Sequence, residues 1–312
     1  MSMVTDNETT MLQTARIALG LWPGAYRDIL VPFGTSASSV FGVRANGTTH
    51  FLRLTDRSFR SLDDAIGEMS FLAHLHSQSV QVALPVLSIH GRAVEEVGDH
   101  FAALFRRAPG LRVMPEGAHW NEVLFREWGR TLARHHAAAR TFLNRSFGWR
   151  QDWRREPVLV EGLARIQVND NELAQISDKV LAELEAHASV LGEMGTIHAD
   201  MGPQNFRYEP RLGITSFDFD NCCRHWFLYD MAVSQSVLRL RPDREKLAQW
   251  IIEGYQELRR LPGDRHLFGL LLRLRLLYVY CDRLYSFGPA PRPAQMDILR
   301  GFRDRLISGD VW

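Results

Sequence analysis

The chain has 312 residues, 46% of them hydrophobic and 23% charged, with a formal net charge of +1. That length supplies a sizeable core divided into two lobes, and the near-neutral charge gives no electrostatic case for a nucleic-acid partner. Three cysteines, two of them adjacent at Cys222 and Cys223, form neither a C-x-x-C metal site nor a disulfide framework, and the polar start MSMVTDNETT lacks the basic and apolar regions of a signal peptide, so a cytoplasmic protein with free thiols is expected.

In chain order, a helix is expected around residues 9–19, followed by three short β-rich stretches at 29–34, 39–47 and 49–54 that suit an antiparallel meander. Asn46-Gly47 is a hairpin signal between the last two. Between the first two, the small polar run from Gly34 through Ser36 and Ser38 to Ser39 suits backbone N–H groups approaching phosphates, although an ordinary hairpin would look much the same. Ser61 then caps a helix with an apolar stripe at Leu62, Ile66, Met69, Leu72 and Ala73, and Glu68 lies within it. A strand begins at Phe101 and ends at Pro109-Gly110, which starts a linker. Beyond residue 118 the pattern is mostly helical: 120–142, with Val123, Leu124, Trp128, Leu132 and His135 or His136 along one side, then 172–192, 228–240, 243–260, 264–284 and 294–308. The most apolar run, 267–280, is interrupted by Arg273 and Arg275, so it predicts a core helix and no membrane span.

The stretch HADMGPQNF at 198–206, followed by SFDFDN at 216–221, gathers carboxylates and an amide in the pattern that phosphoryl transfer requires. Gly202 and Pro203 allow a tight turn that brings Asp200 and Asn205 to one reacting centre. Alternation of Phe217 and Phe219 with Asp218 and Asp220 predicts a strand with both carboxylates on one face. Phosphoryl transfer asks the protein to position a hydroxyl and to hold Mg2+ on the phosphates of ATP. Asp200 is the candidate base. Asn205 and Asp218 are the candidate ligands of a hard cation that keeps several waters, and Asp220 is a second-ion or outer ligand. His198 is expected to be a hydrogen-bonding scaffold residue.

On His198-x-Asp200-x4-Asn205, Asp218-Phe219-Asp220 and Tyr229-Asp230-Met231-Ala232, the chain resembles the aminoglycoside phosphotransferase and choline kinase superfamily. Within it, FLRLTDRSFRS and FDFDNCCRHWFLYDMA are most similar to bacterial phosphotransferases grouped with stress-response kinases and type II homoserine kinases. The resemblance implies an α+β, bilobal protein-kinase-like fold, with an antiparallel β-rich N-lobe carrying one helix over residues 1–106 and a mostly helical C-lobe over 107–312. It implies Asp200 as catalytic base, Asn205 and Asp218 as metal ligands, and Asp230 as a buried carboxylate bracing the catalytic loop. In such folds a carboxylate like Glu68 pairs with a third-strand cation that holds the nucleotide phosphates. Here that cation is Arg53, since Lys179 and Lys246 are the only lysines. Leu104, Phe105 and Arg106 match the segment that lends backbone groups to adenine.

The expected function is phosphate transfer from ATP to a hydroxyl of a small-molecule acceptor, with no membrane partner and the oligomeric state left open. From Arg239 to Trp312 fourteen Arg and Lys stand against nine Asp and Glu, which suits a neutral or anionic acceptor better than a polycation. A Ser/Thr protein kinase is the alternative, disfavoured because little chain lies between Asp218 and the helix near Leu228 to dock a polypeptide. The complete Asp200, Asn205 and Asp218 set argues against a silent nucleotide-binding scaffold. A metal-dependent hydrolase using His198, Asp200, Asp218 and Asp220 would cleave phosphoesters without ATP.

Overall fold

The computed structural model describes residues 6–24, 26, 33–34, 38–142, 152–261 and 264–311. They form two compact units, one running to Pro109 and the other starting at Gly110, three residues beyond the boundary expected from sequence.

The first unit begins with α1 (Asp6–Leu19) and an antiparallel sheet. Its strands are β1 (Phe33–Gly34), β2 (Ser38–Ala45) and β3 (Thr48–Asp56), then, after α2 (Leu62–Ser77), β4 (Pro85–Val86), β5 (Glu95–Val97) and β6 (His100–Arg106). They lie in the order β1-β2-β3-β6-β4, with β5 also on β6. Asn46 and Gly47 both take positive φ, 51° and 76°, which is the twist a two-residue hairpin needs between β2 and β3. One sheet face carries Phe41, Val43, Leu52, Leu54, Ala102 and Leu104, packed with Ala15, Ala18, Leu19 and Trp22 from α1 and the turn after it. α1 answers the helix expected around 9–19 and α2 the one expected after Ser61, so α1 is added to the single helix that the resemblance implies. Of the stretch expected at 29–34, only Phe33 and Gly34 are described, and Ser36 lies outside the described residues.

Ser61 caps α2 by accepting the Asp64 N–H at 3.1 Å, and the Asp64 carboxylate accepts the Ser61 N–H in return, so two end donors are satisfied together. The buried face matches the expected stripe in part, with Met69 and Leu72 buried and Leu62 and Ile66 half-buried. Ala73 is exposed, and the buried set is Asp64, Ala65, Gly67, Glu68, Met69, Phe71, Leu72 and Leu75. Glu68 lies on the buried face, paired with Arg53.

The second unit contains α3 (Glu122–Ala139), α4 (Pro157–Asn169), α5 (Asn171–Ala186), β7 (Met194–Ile197), β8 (Phe206–Glu209), β9 (Gly213–Ser216), β10 (Cys223–Trp226), α6 (Phe227–Ser236), α7 (Arg244–Gln256), α8 (Phe268–Phe287) and α9 (Pro293–Ser308). β7 pairs with β10 and β8 with β9, both antiparallel. Val123, expected on the apolar side of α3, is exposed, whereas His135 and His136 are buried with Leu124, Trp128 and Leu132. α4 is not among the helices expected from the sequence, and it contains Pro157 and Gly162. Pro157 begins the helix, where its missing N–H has no partner to lose, and Gly162 faces α8 so closely that a Cβ there would lie 2.3 Å from the Cys281 Cβ. The apolar run around 267–280 is indeed a core helix, with Leu271, Leu272, Leu274, Leu276 and Leu277 buried, and among the described residues no helix is long and apolar enough to cross a membrane.

Candidate active site

β7 delivers the chain to His198, and the loop from His198 to Asn205 turns on a short 3-10 segment at Pro203–Asn205 before entering β8. Ala199 sits in the left-handed region at φ 62°, an uncommon conformation for a residue with a Cβ. The compensation comes from Asp230 in the first turn of α6, which is fully buried and accepts the N–H groups of Ala199 at 2.9 Å and His198 at 3.2 Å. Burial works to raise the Asp230 pKa, but the hydrogen bond from His136 outweighs it and the carboxyl lies below the ordinary carboxylate value. Burial also holds His136 below the ordinary imidazole value. Its Nε2 donates to Asp230 at 3.2 Å, and its Nδ1 accepts from the Tyr255 hydroxyl at 2.9 Å. The loop therefore rests on a buried chain from α7 through α3 to α6.

His198 is a tie between two segments. Its Nε2 donates to the Phe217 carbonyl at 3.1 Å, which leaves Nδ1 to accept the Asp200 N–H at 3.4 Å. Phe217 N–H returns to the Asn205 carbonyl at 3.0 Å. Asp218 thus follows directly on a residue bonded to both ends of the loop.

Asp200 is held on both oxygens. Asn205 Nδ2 donates to its Oδ2 at 3.0 Å and to its backbone carbonyl at 2.8 Å, and Arg275 Nη2 reaches its Oδ1 at 2.5 Å. Arg275 also donates to the Ala199 carbonyl at 3.3 Å. Burial works to lower the Arg275 pKa, but the adjacent Asp200 carboxylate dominates and raises it. Arg275 was not singled out as a site residue in the sequence. The signal was present all the same: a cation inside the apolar run of α8 has to find a partner.

The pair Asp218 and Asp220 is placed differently from the expectation. β9 ends at Ser216, Asp218 takes the left-handed conformation at φ 63° and ψ 61°, and Phe219–Asn221 form a 3-10 turn, so the two carboxylates do not share a strand face. Phe219 is fully buried against the His198 ring, 4.2 Å between centroids, while the Asp218 side is exposed. Aspartate tolerates this conformation better than most residues, so the alternation that mimicked a strand is a turn. As a donor set the segment fits a hard divalent cation. Asn205 Nδ2 is committed to Asp200, which leaves its Oδ1, and Asp218 offers a carboxylate. Among the described residues no group of three His, Cys, Asp or Glu is arranged for a metal, so water and phosphate oxygens would complete the coordination.

In the first unit, Arg53 on β3 meets Glu68 on α2 at 2.5 Å, and both side chains are buried. Its guanidinium also lies over the Phe105 ring at 5.1 Å. Leu52 and Leu54 point to the opposite, apolar face. Ser38 lies on the Arg53 face, with its hydroxyl 3.1 Å from that of Thr55. The Leu104 side chain belongs to the apolar core, and the Arg106 N–H is used by the Leu84 carbonyl at 3.0 Å.

The sequence model of the phosphotransferase enzyme family matches residues 30–263. The chain is 28% identical over 290 residues to an amicoumacin kinase of Bacillus subtilis (strain 168), covering 86% of this chain and 84% of that one. It is 28% identical over 270 residues to a homoserine kinase of Xanthobacter autotrophicus, covering 82% and 80%. Among solved structures, amicoumacin kinase hAmiN in complex with AMP-PNP, Ca2+ and Ami superposes with a TM-score of 0.84 at 23% identity, over 98% of this chain and 97% of that one. The likeness shows a shared fold.

Proposed function

The chain belongs to the phosphotransferase enzyme family and is an ATP-dependent kinase of small molecules, and on that premise we propose that Asp200 is the general base for the acceptor hydroxyl. The observation that carries this reading is the Asp200 carboxylate, fixed on one oxygen by Asn205 and on the other by Arg275, in a loop braced by Asp230. A base has to be positioned before its proton affinity matters. Asn205 Oδ1 and the Asp218 carboxylate would hold Mg2+, with Asp220 as an outer ligand, and the cation would neutralise phosphate charge when nucleotide is bound. Arg53, steadied by Glu68, would hold phosphate oxygens of ATP, with Ser36 and Ser38 near the phosphates and the backbone of Leu104, Phe105 and Arg106 towards adenine. The chain from Phe219 to Trp226 is taken up by a 3-10 turn and β10, which leaves no segment to dock a polypeptide and favours a small acceptor. The protein is proposed to work in the cytoplasm.

Coupled ADP release across amino alcohols, hydroxy-amino acids, sugars and aminoglycosides, with and without Mg2+, tests the reading. Acceptor-dependent release that requires Mg2+ is the expected result. Asp200→Ala should lower that rate by about 10²–10⁴-fold while nucleotide affinity stays within a few-fold, because the base acts on the acceptor. Comparable turnover in the variant would remove Asp200 from the chemistry.

A further inference from the structure

Asp218, the proposed metal ligand, stands in the left-handed region at φ 63° and ψ 61°. A residue with a Cβ keeps that conformation only where the surrounding structure over-determines it, so the chain on both sides of Asp218 has to be anchored. Before it, Phe217 is tied to His198 and to Asn205. One residue earlier still, Ser216 ends β9 opposite Phe206, which directly follows Asn205. The two segments that carry the proposed ligands therefore meet at the Ser216–Phe206 pair.

His135 reaches this junction from α3. Its Nε2 lies 3.0 Å from the Ser216 Oγ, and both residues are buried. Its Nδ1 has no hydrogen-bond partner among the described residues, so the contact with Ser216 is the ring's one hydrogen bond there. The same ring also touches the far side of Asp218. It lies 5.6 Å from the Phe219 ring, which in turn lies 4.2 Å from His198. The two imidazoles are nearly parallel, at 11° with centroids 6.4 Å apart, so Phe219 packs against both. His135 thus holds the residue two before Asp218 by a hydrogen bond and the residue after it by ring contact.

Filling space does not by itself call for a histidine here. The position continues the buried apolar side of α3 made by Leu124, Trp128 and Leu132, where an aliphatic side chain would pack without burying a polar ring. A buried imidazole with one nitrogen unpaired costs stability, and what the position gains in return is a directional bond to the end of β9. Groups that orient a metal's ligands tune its affinity although they never touch the ion.

We propose that His135 is a positioning residue for the divalent cation: through Ser216 and Phe219 it holds the Asp218 carboxylate where it can bind the cation that accompanies the nucleotide. This rests on the reading of Asp218 as a metal ligand. Loss of the bond should weaken the cation's contribution to nucleotide binding and leave the metal-free contribution alone.

The test is calorimetric titration of AMP-PNP into the full chain, once with Mg2+ and once in EDTA, and it reads the ratio of the two dissociation constants. That ratio needs neither acceptor nor turnover. In His135→Leu, which fills the space and removes the bond, the gain from Mg2+ should shrink about tenfold while binding in EDTA stays nearly unchanged. His135→Gln, whose amide can reach Ser216, should restore most of the gain. Ser216→Ala cuts the same bond from β9 and gives the reading should His135→Leu not fold; the double variant should lose no more than either single one. A parent-like gain in both single variants, equal weakening with and without Mg2+, additive losses in the double variant, or a His135→Gln no better than His135→Leu overturns the proposal. Asp218→Asn separates the two readings. If it loses the Mg2+ gain while the His135 and Ser216 variants keep it, only the positioning role falls. No gain from Mg2+ in the parent chain, or a parent-like Asp218→Asn, overturns the metal reading and the proposal with it.

Discussion

At the scale of single residues, two arginines carry the least expected features of the protein. Arg275 reaches Asp200 Oδ1 and the Ala199 carbonyl with two different nitrogens, so it fixes both the proposed base and the strained residue before it. A lysine has one nitrogen and cannot span both. Arg275→Ala is expected to lower kcat about tenfold or more with a small change in KM for ATP, and Arg275→Lys to recover part of the loss. Steady-state titrations of ATP would show it, and an unchanged kcat would leave Arg275 as a packing residue. Arg53 stands where the resemblance leads one to expect lysine, and its buried contacts with Glu68 and Phe105 show that a charge is held there on purpose and desolvated. Arg53→Ala should raise the KM for ATP or lower kcat/KM by at least about tenfold, roughly 1.4 kcal/mol, with Arg53→Lys in between because the pocket is shaped to a planar fork. Parent-like ATP kinetics with an unchanged melting temperature would end that assignment.

At the scale of elements, close helix packing explains both what the sequence showed and what it hid. α3 and α7 cross where Gly129 and Gly254 face each other's backbone: a Cβ on Gly129 would lie 2.0 Å from the Ile251 carbonyl, and one on Gly254 would lie 2.0 Å from that of Arg126. Around the crossing Arg126 pairs with Glu253 and Glu257, and Arg130 with Glu257 at 2.6 Å. Alanine is the better helix former by about 1 kcal/mol, but here the added methyl has no room. Gly254→Ala is therefore expected to destabilise the protein by about 1–3 kcal/mol, read as a lowered midpoint in urea, and a stabilised variant would show that the helices move apart freely. The same logic hid α4. The contact of its Gly162 with Cys281 is visible only once α8 is in place. Periodicity alone weighs Glu68 as polar, and its burial on α2 follows from the Arg53 partner that the resemblance implied.

For the molecule as a whole, burial of histidine couples stability to pH. Burial holds His135 at about 3, His225 well below the ordinary value, and His136 below it as well. Each folded-state pKa is depressed, so the unfolded chain binds more protons below about pH 6.5. The stabilisation is whole above that pH and is lost as pH falls from 6.5 towards the folded values. By pH 5.5 His135 alone removes roughly 1.4 kcal/mol, and His225 and His136 act in the same direction. Thermal melts should show a marked fall in Tm between pH 7.5 and 5.5. A flat profile over that interval would mean that these rings accept protons without unfolding.

The sequence by itself determined the family, the fold class and the order of the loop residues, because those depend on local matters: the turn allowed by Gly202 and Pro203, the capping box at Ser61, the hairpin at Asn46-Gly47, and the spacing of His198, Asp200 and Asn205. Only the tertiary structure decided that Asp218 leaves the strand for a left-handed turn, that His136 and Tyr255 stand beneath Asp230, that Arg275 grips Asp200 from α8, and that Trp153 stacks on His225. Those partners lie tens of residues apart in the chain. Hydrogen bonding and burial act through space, and a one-dimensional pattern records which groups need partners without recording which groups will meet them.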